Sequence, residues 1–170
     1  MENSHHITSA SAVANEFIGL GKQNNAHLTV QQILKLTYIA QGYMLAFFDV
    51  PLFDDDIEAW KYGPIIPNLY AAIKHHGGDQ IHVPIRLLKG ESHIISDDAK
   101  RVIDFVYKKY AHLSGIQLSA LTNQPSSPWA IFFNDVTWGR KIPTAIIKEY
   151  YDEKLAELIK DYESRKGKTL

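Results

Sequence analysis

Thr29-Val30-Gln31-Gln32-Ile33-Leu34-Lys35-Leu36-Thr37-Tyr38-Ile39-Ala40-Gln41-Gly42-Tyr43-Met44-Leu45-Ala46-Phe47-Phe48 is the stretch that decides the architecture. Thr29 and Gln32 have the spacing of a capping box, in which each side chain satisfies a free backbone N–H of the other residue. Apolar residues then fill more than one helical stripe: Ile33, Leu34, Leu36, Tyr38, Ala40, Met44, Leu45 and Phe48. A helix that is apolar nearly all round must be covered on several sides, so it is expected at the centre of a bundle. Asp49, Val50 and Pro51 end it, because the residue before a proline resists the α region.

The flanking segments supply the cover. Ile7, Ala10, Val13, Ala14, Phe17 and Ile18 recur at helical spacing behind Thr8 or Ser9 as the N-cap, and Asn24-Asn25 makes the turn. On the other side, alternation over Ile57–Lys61 predicts a short strand broken by Gly63-Pro64. Pro67 suits a first helical turn, and Gly77-Gly78 suits its end. Ile81–Leu88 and His93–Ile95, joined by the turn at 89–92, predict a hairpin that Pro84 confines to an edge. Ser96 and Ser114 open two further helices, and Trp129–Asn134 gives one helical turn. A last helix starts at Pro143 or Thr144 and runs to about Ser164. Its stripe is Ile147, Tyr151, Leu155, Leu158 and Tyr162. The fold class is therefore mainly α (α+β): a compact helical bundle with a small two- to three-stranded antiparallel β element. Residues 1–170 read as a single domain with loose ends at 1–6 and 165–170.

Composition narrows the function. The chain has 170 residues, 45% of them hydrophobic, and no Cys, so disulfides, thiolate nucleophiles and Cys-ligated metal sites are excluded. The net charge of −1 lacks the basic excess expected of a protein that rides on phosphate backbones. No apolar run reaches the length of a membrane span, and the first residues lack the pattern of a secretory signal. A cytoplasmic location without membrane attachment is expected. None of the eight His forms a zincin-type pair, and Asp54-Asp55-Asp56 lacks the spacing of a calcium loop. No nucleotide-binding glycine loop or nucleophile elbow occurs. No metal, no cofactor and no catalytic residue is assigned.

The aromatic residues carry more. Tyr62, beside Gly63-Pro64, and Trp129, after Ser127-Pro128, stand at rigid turns, where an interface anchor costs little to hold in place. Lys35 lies mid-helix between Leu34 and Leu36. Its ammonium must snorkel to water, meet a partner carboxylate, or reach the Tyr62–Pro64 turn.

Three blocks of this sequence together resemble a known family. They are Leu28-Thr29 with Leu34-Lys35-Leu36-Thr37-Tyr38-Ile39-Ala40-Gln41-Gly42-Tyr43, then Ala59-Trp60-Lys61-Tyr62-Gly63-Pro64, then Leu118–Thr122 with Ser127-Pro128-Trp129. In order and spacing they are similar to the Panacea domain, the SocA-like family of antitoxins and phage-associated proteins, over roughly 28–150. The resemblance implies a non-enzymatic protein-binding module. Its partner would be a toxin, encoded by a neighbouring gene, neutralised by direct contact, with a protease as second partner where the module acts as an adaptor. Members commonly carry a His after the Leu-Thr pair, where this chain has Asn123, so a titratable ring is replaced by a neutral amide. The expected partner-binding or motif residues are Lys35, Tyr38, Trp60, Tyr62, Gly63, Pro64, Thr122, Asn123, Pro128 and Trp129. The alternatives are a nucleic-acid-binding autoregulator of its operon and an uncatalogued hydrolase.

Overall fold

The computed structural model describes residues 7–168. Helix α1 (Ala10–Gln23) is capped by the Ser9 hydroxyl, which accepts from the Ala12 N–H. Strand β1 (Leu28–Thr29) leads directly into α2 (Val30–Phe48), and the capping box of Thr29 and Gln32 is formed in both directions. Strands β2 (Glu58–Trp60) and β3 (Gly63–Ile65) form a tight hairpin. Helix α3 (Pro67–Ile73) continues into a 3-10 turn at Lys74–His76, followed by β4 (Gln80–Ile81). Helices α4 (Asp97–Tyr110), α5 (Gly115–Thr122) and α6 (Pro128–Phe132), strand β5 (Arg140–Lys141) and helix α7 (Thr144–Lys166) complete the order.

The mainly helical α+β architecture is that expected from the sequence, with α2 at its centre. Every residue from Ile33 to Leu45 is buried, and α1, α4, α5 and α7 all pack on this helix. Burial on all sides obliges its polar side chains to find partners inside the fold. The Gln41 amide does so as a strand would. Its Oε1 accepts from the N–H of Leu52 at 2.7 Å and of Phe53 at 3.3 Å, and its Nε2 donates to the Phe53 carbonyl at 3.0 Å. This fixes the chain after α2 ends at Asp49, which takes a left-handed conformation. Gly42 lets α7 approach, since a Cβ there would stand 2.2–2.5 Å from ring atoms of Tyr151.

The β structure departs from expectation. Two small antiparallel sheets form, β1–β4 and β3–β2–β5, and the hairpin expected over Ile81–Leu88 and His93–Ile95 does not. Pro84 has no N–H to give, and both backbone groups of Ile85 are taken by the side chain of Asn15 on α1, at 2.6 and 2.9 Å. The segment 82–95 therefore runs as an unpaired strap tied to α1, extended over 83–88 and turning at Lys89-Gly90, where the Glu91 N–H donates to the Leu88 carbonyl. The turn of the real hairpin falls at Lys61-Tyr62, so Gly63-Pro64, expected to break the strand, lie inside β3. Pro64 is tolerated because β3 is an edge strand. Strand β5 was not foreseen: two residues carry no periodicity, and only pairing of Ala59 with Arg140 and Glu58 with Lys141 defines it.

Helix α7 also differs. Ile147 and Tyr151 are buried, but Leu155 and Leu158 are only half-covered and Tyr162 is exposed, so the stripe outruns the bundle. Arg165 and Lys166, expected in a loose tail, are its last residues. Gly167 caps it and the Lys168 N–H donates back to the Arg165 carbonyl, while residues 1–6 and 169–170 of the expected loose ends lie outside the described residues.

Two glycine substitutions test the packing. Gly42→Ala should destabilise by about 1–3 kcal/mol through overpacking against Tyr151, although alanine is the better helix former. Gly19→Ala, where nothing lies within 4 Å of the new Cβ, should stabilise by about 0.5–1 kcal/mol. Urea unfolding of both variants measures the difference.

Candidate partner-binding site

The motif residues gather around the β2–β3 hairpin in an inner, polar group and an outer, aromatic one. At the inner group, the Lys35 ammonium is buried and donates to the Pro64 carbonyl at 3.0 Å. This is the contact with the Tyr62–Pro64 turn that its sequence position allowed. No carboxylate among the described residues forms an ion pair with it. Burial therefore pulls the ammonium down from its usual 10.5 to about 8. Gly63 has φ +126°, and a Cβ on it would stand 2.7 Å from Lys35 Nζ and 2.6 Å from Asn123 Oδ1. The position is closed to any side chain by conformation and by space. Asn123 is the C-cap of α5, and its N–H donates to the Ser119 carbonyl. The Thr122 hydroxyl lies 3.2 Å from Asn123 Oδ1 and from the carbonyls of Leu118 and Ser119, and one proton serves them in turn.

The outer group is built on Trp60. Its carbonyl accepts from Trp129 Nε1 at 2.6 Å, and its own Nε1 donates to Glu58 Oε2 at 2.7 Å. Its ring meets Tyr70 edge-on at 5.4 Å and lies 4.6 Å from Trp138. Pro128 opens α6 behind the Ser127 cap, which turns Trp129 toward the hairpin, where it stacks on Phe133 at 4.6 Å. The Arg140 guanidinium lies 5.4 Å from the Phe132 ring centre. Tyr62, at the hairpin tip, is 70% exposed and Trp138 is 67% exposed.

Nine of the ten residues named from sequence thus meet at one place. Tyr38 does not join them. It is buried against Tyr151 on the α7 side of α2, and its hydroxyl has no partner among the described residues. The residues missed by sequence reasoning are Trp138, Glu58, Phe133 and Tyr70. A usable signal existed for Trp138: a large aromatic directly before a glycine in a polar loop. Gly139, at φ +72°, makes that turn.

The arrangement offers an anchored apolar surface. Among the described residues no three His, Asp or Glu side chains converge on a metal position, and no helix is long and apolar enough to cross a membrane. A family model described as "Antitoxin SocA-like, Panacea domain" matches residues 33–130. All ten named residues fall inside that span, while Trp138 falls outside it. Antitoxin SocA of Caulobacter vibrioides (strain NA1000 / CB15N) is 27% identical over 153 residues, covering 84% of this chain and 81% of its own. No solved structure matches the chain.

The lowered ammonium of Lys35 gives a signed pH dependence. Between about pH 8 and 10.5 the unfolded chain holds this proton and the folded one releases it, so stability rises with pH across that window. The burial penalty, about 3 kcal/mol, is fully present below pH 8. The buried hydroxyls of Tyr38, Tyr43, Tyr110 and Tyr151 are pushed up, so above their ordinary value they pull stability the other way. The difference in unfolding free energy between wild type and Lys35→Met should therefore be followed from pH 7.5 to 9.5. It should move in favour of the wild type as pH rises, and a flat difference would rule out a buried, titrating ammonium.

Proposed function

The chain belongs to the antitoxin SocA-like, Panacea domain family, and from that premise we propose that it is a cytoplasmic, non-enzymatic antitoxin that neutralises a toxin by direct contact. The observation that carries this reading is the pair of exposed aromatics, Tyr62 at the tip of the β2–β3 hairpin and Trp138 in the loop before β5, its ring 4.6 Å from that of Trp60. Tyr and Trp dominate the binding energy of many interfaces because they bury large area with few rotors to freeze. Val136, two residues before Trp138 in the same loop, is also exposed. The inner group supports it from below: Lys35, Gly63 and Asn123 set the hairpin, and the hairpin sets Tyr62. Trp138 and Val136 lie beyond the matched span, which suits a contact tuned to one partner. Neutralisation on this reading is occlusion of the toxin's working surface.

The test is co-expression in bacteria with the product of the neighbouring gene, recording growth and co-purification. Rescue from a toxic neighbour, with both proteins recovered together, supports the reading. A harmless neighbour that does not co-purify counts against it. The double variant Tyr62→Ala, Trp138→Ala should keep the helical signal and thermal midpoint of the wild type and lose rescue. Trp129→Ala should lose both, because its indole N–H holds the hairpin carbonyl. Undiminished rescue by the double variant would move the contact elsewhere on the molecule.

A further inference from the structure

A second surface lies between α3 and the strap, within residues 68–91. There α3 and the extended segment Val83–Leu88 enclose an open groove of about 920 Å³. Its walls are apolar: Ala71 and Ala72 on the helix, Val83, Ile85, Leu87 and Leu88 on the strap. Val83 and Leu88 are 60% and 74% exposed. The strap is not loose, because Asn15 clamps both backbone groups of Ile85 and Thr8 donates its hydroxyl to the Ser92 carbonyl. A wall tied at Ile85 within it and at Ser92 beyond it is a preformed binding surface.

The charges in the groove are unbalanced. Arg86 and Lys89 line it, and neither makes an ion pair or side-chain hydrogen bond among the described residues. His75 and His76, their rings 4.1 Å apart, line the opposite wall. Glu91 is the one carboxylate in the lining, and its Oε2 is already engaged by the Leu88 N–H. Glu91 keeps its charge, so Arg86 and Lys89 against that single carboxylate leave the lining with an excess of one positive charge. Six extended residues of strap span about 20 Å, the length of a short peptide strand.

We propose that this groove binds an extended acidic peptide segment of a partner protein, its apolar side chains seated between α3 and the strap and its carboxylates on Arg86 and Lys89. The occupant is polypeptide rather than membrane because the apolar walls face each other across a trough, where a flat lipid surface cannot reach them. The inference stands on the groove alone and holds whether or not the aromatic face contacts a toxin.

The full chain would be used to select from a display library of random short peptides, and enriched sequences would be synthesised with a fluorescent label. The expected result is enrichment of sequences mixing Asp or Glu with apolar residues, with amide shift changes confined to the α3 and strap segments. Arg86→Glu with Lys89→Glu should weaken the labelled peptide about tenfold or more. Ala71→Trp, which fills the trough without touching the charges, should weaken it as well. Both changes are at exposed positions, and an unchanged circular dichroism spectrum verifies folding. Selection of no acidic sequence, shift changes elsewhere, or unaltered affinity in both variants overturns the proposal. So does binding to phosphatidylserine vesicles in place of peptide.

Discussion

Helix α2 is buried on every side, and that constraint sets what surrounds it. A helix so placed leaves its polar side chains no route to water, and an unpartnered polar group in such a place costs about 1–3 kcal/mol. Gln41, Lys35 and Thr37 meet this by recruiting backbone from outside the helix or bonding within it, and Tyr43 by pairing its hydroxyl with that of Tyr110, whereas the Tyr38 hydroxyl has no partner among the described residues. Gln41 captures Leu52 and Phe53, Lys35 captures Pro64, and Thr37 returns its hydroxyl to the Ile33 carbonyl at 2.7 Å. The first two pull irregular chain onto the helix at defined points. The loop after α2 and the β2–β3 hairpin have their positions because side chains inside the core require them there.

The aromatic face follows from the same chain of causes. With Pro64 held from below, the hairpin presents the Trp60 carbonyl outward, where Trp129 closes on it. Trp60 then offers its ring to Tyr70 on one side and Trp138 on the other. Each step restricts the next: Tyr62 follows the hairpin that Lys35 and Trp129 fix, and Trp138, in the loop before β5, is placed by its ring contact with Trp60.

Much of this was legible in the sequence, and the limits have definite causes. The central helix was readable because apolar residues without a single stripe can only mean burial all round. Its capping box was readable because the contact is local. The Lys35 contact was legible as one of three options, since a mid-helix ammonium between leucines has few places to go. The strap was misread as a hairpin because β-branched residues around a turn look alike whether a strand or the Asn15 side chain satisfies them. Strand β5 and the packing of Trp138 on Trp60 were hidden because both depend on residues distant in the chain meeting Glu58–Trp60. The overshoot of α7 was invisible for a related reason: an apolar stripe records what a helix can bury, not how far its neighbours extend.

The amide at Asn123 makes chemical sense beside Lys35. The space above Gly63 brings Asn123 Oδ1 and the Lys35 ammonium to the same place, each within 2.7 Å of where a Cβ would stand. An amide oxygen there offers negative partial charge toward the ammonium and accepts from Thr122. A histidine, the residue that the family resemblance implies at this position, could also accept, but only while neutral, and on protonation it would set a second cation near the first. Near a lysine already pulled down by burial, that repulsion would add to a penalty the fold carries in full at neutral pH. Asn123 keeps the acceptor and removes the titration. Around Gly63 the geometry is therefore held with Lys35 as the ionisable group and Asn123 as a neutral one.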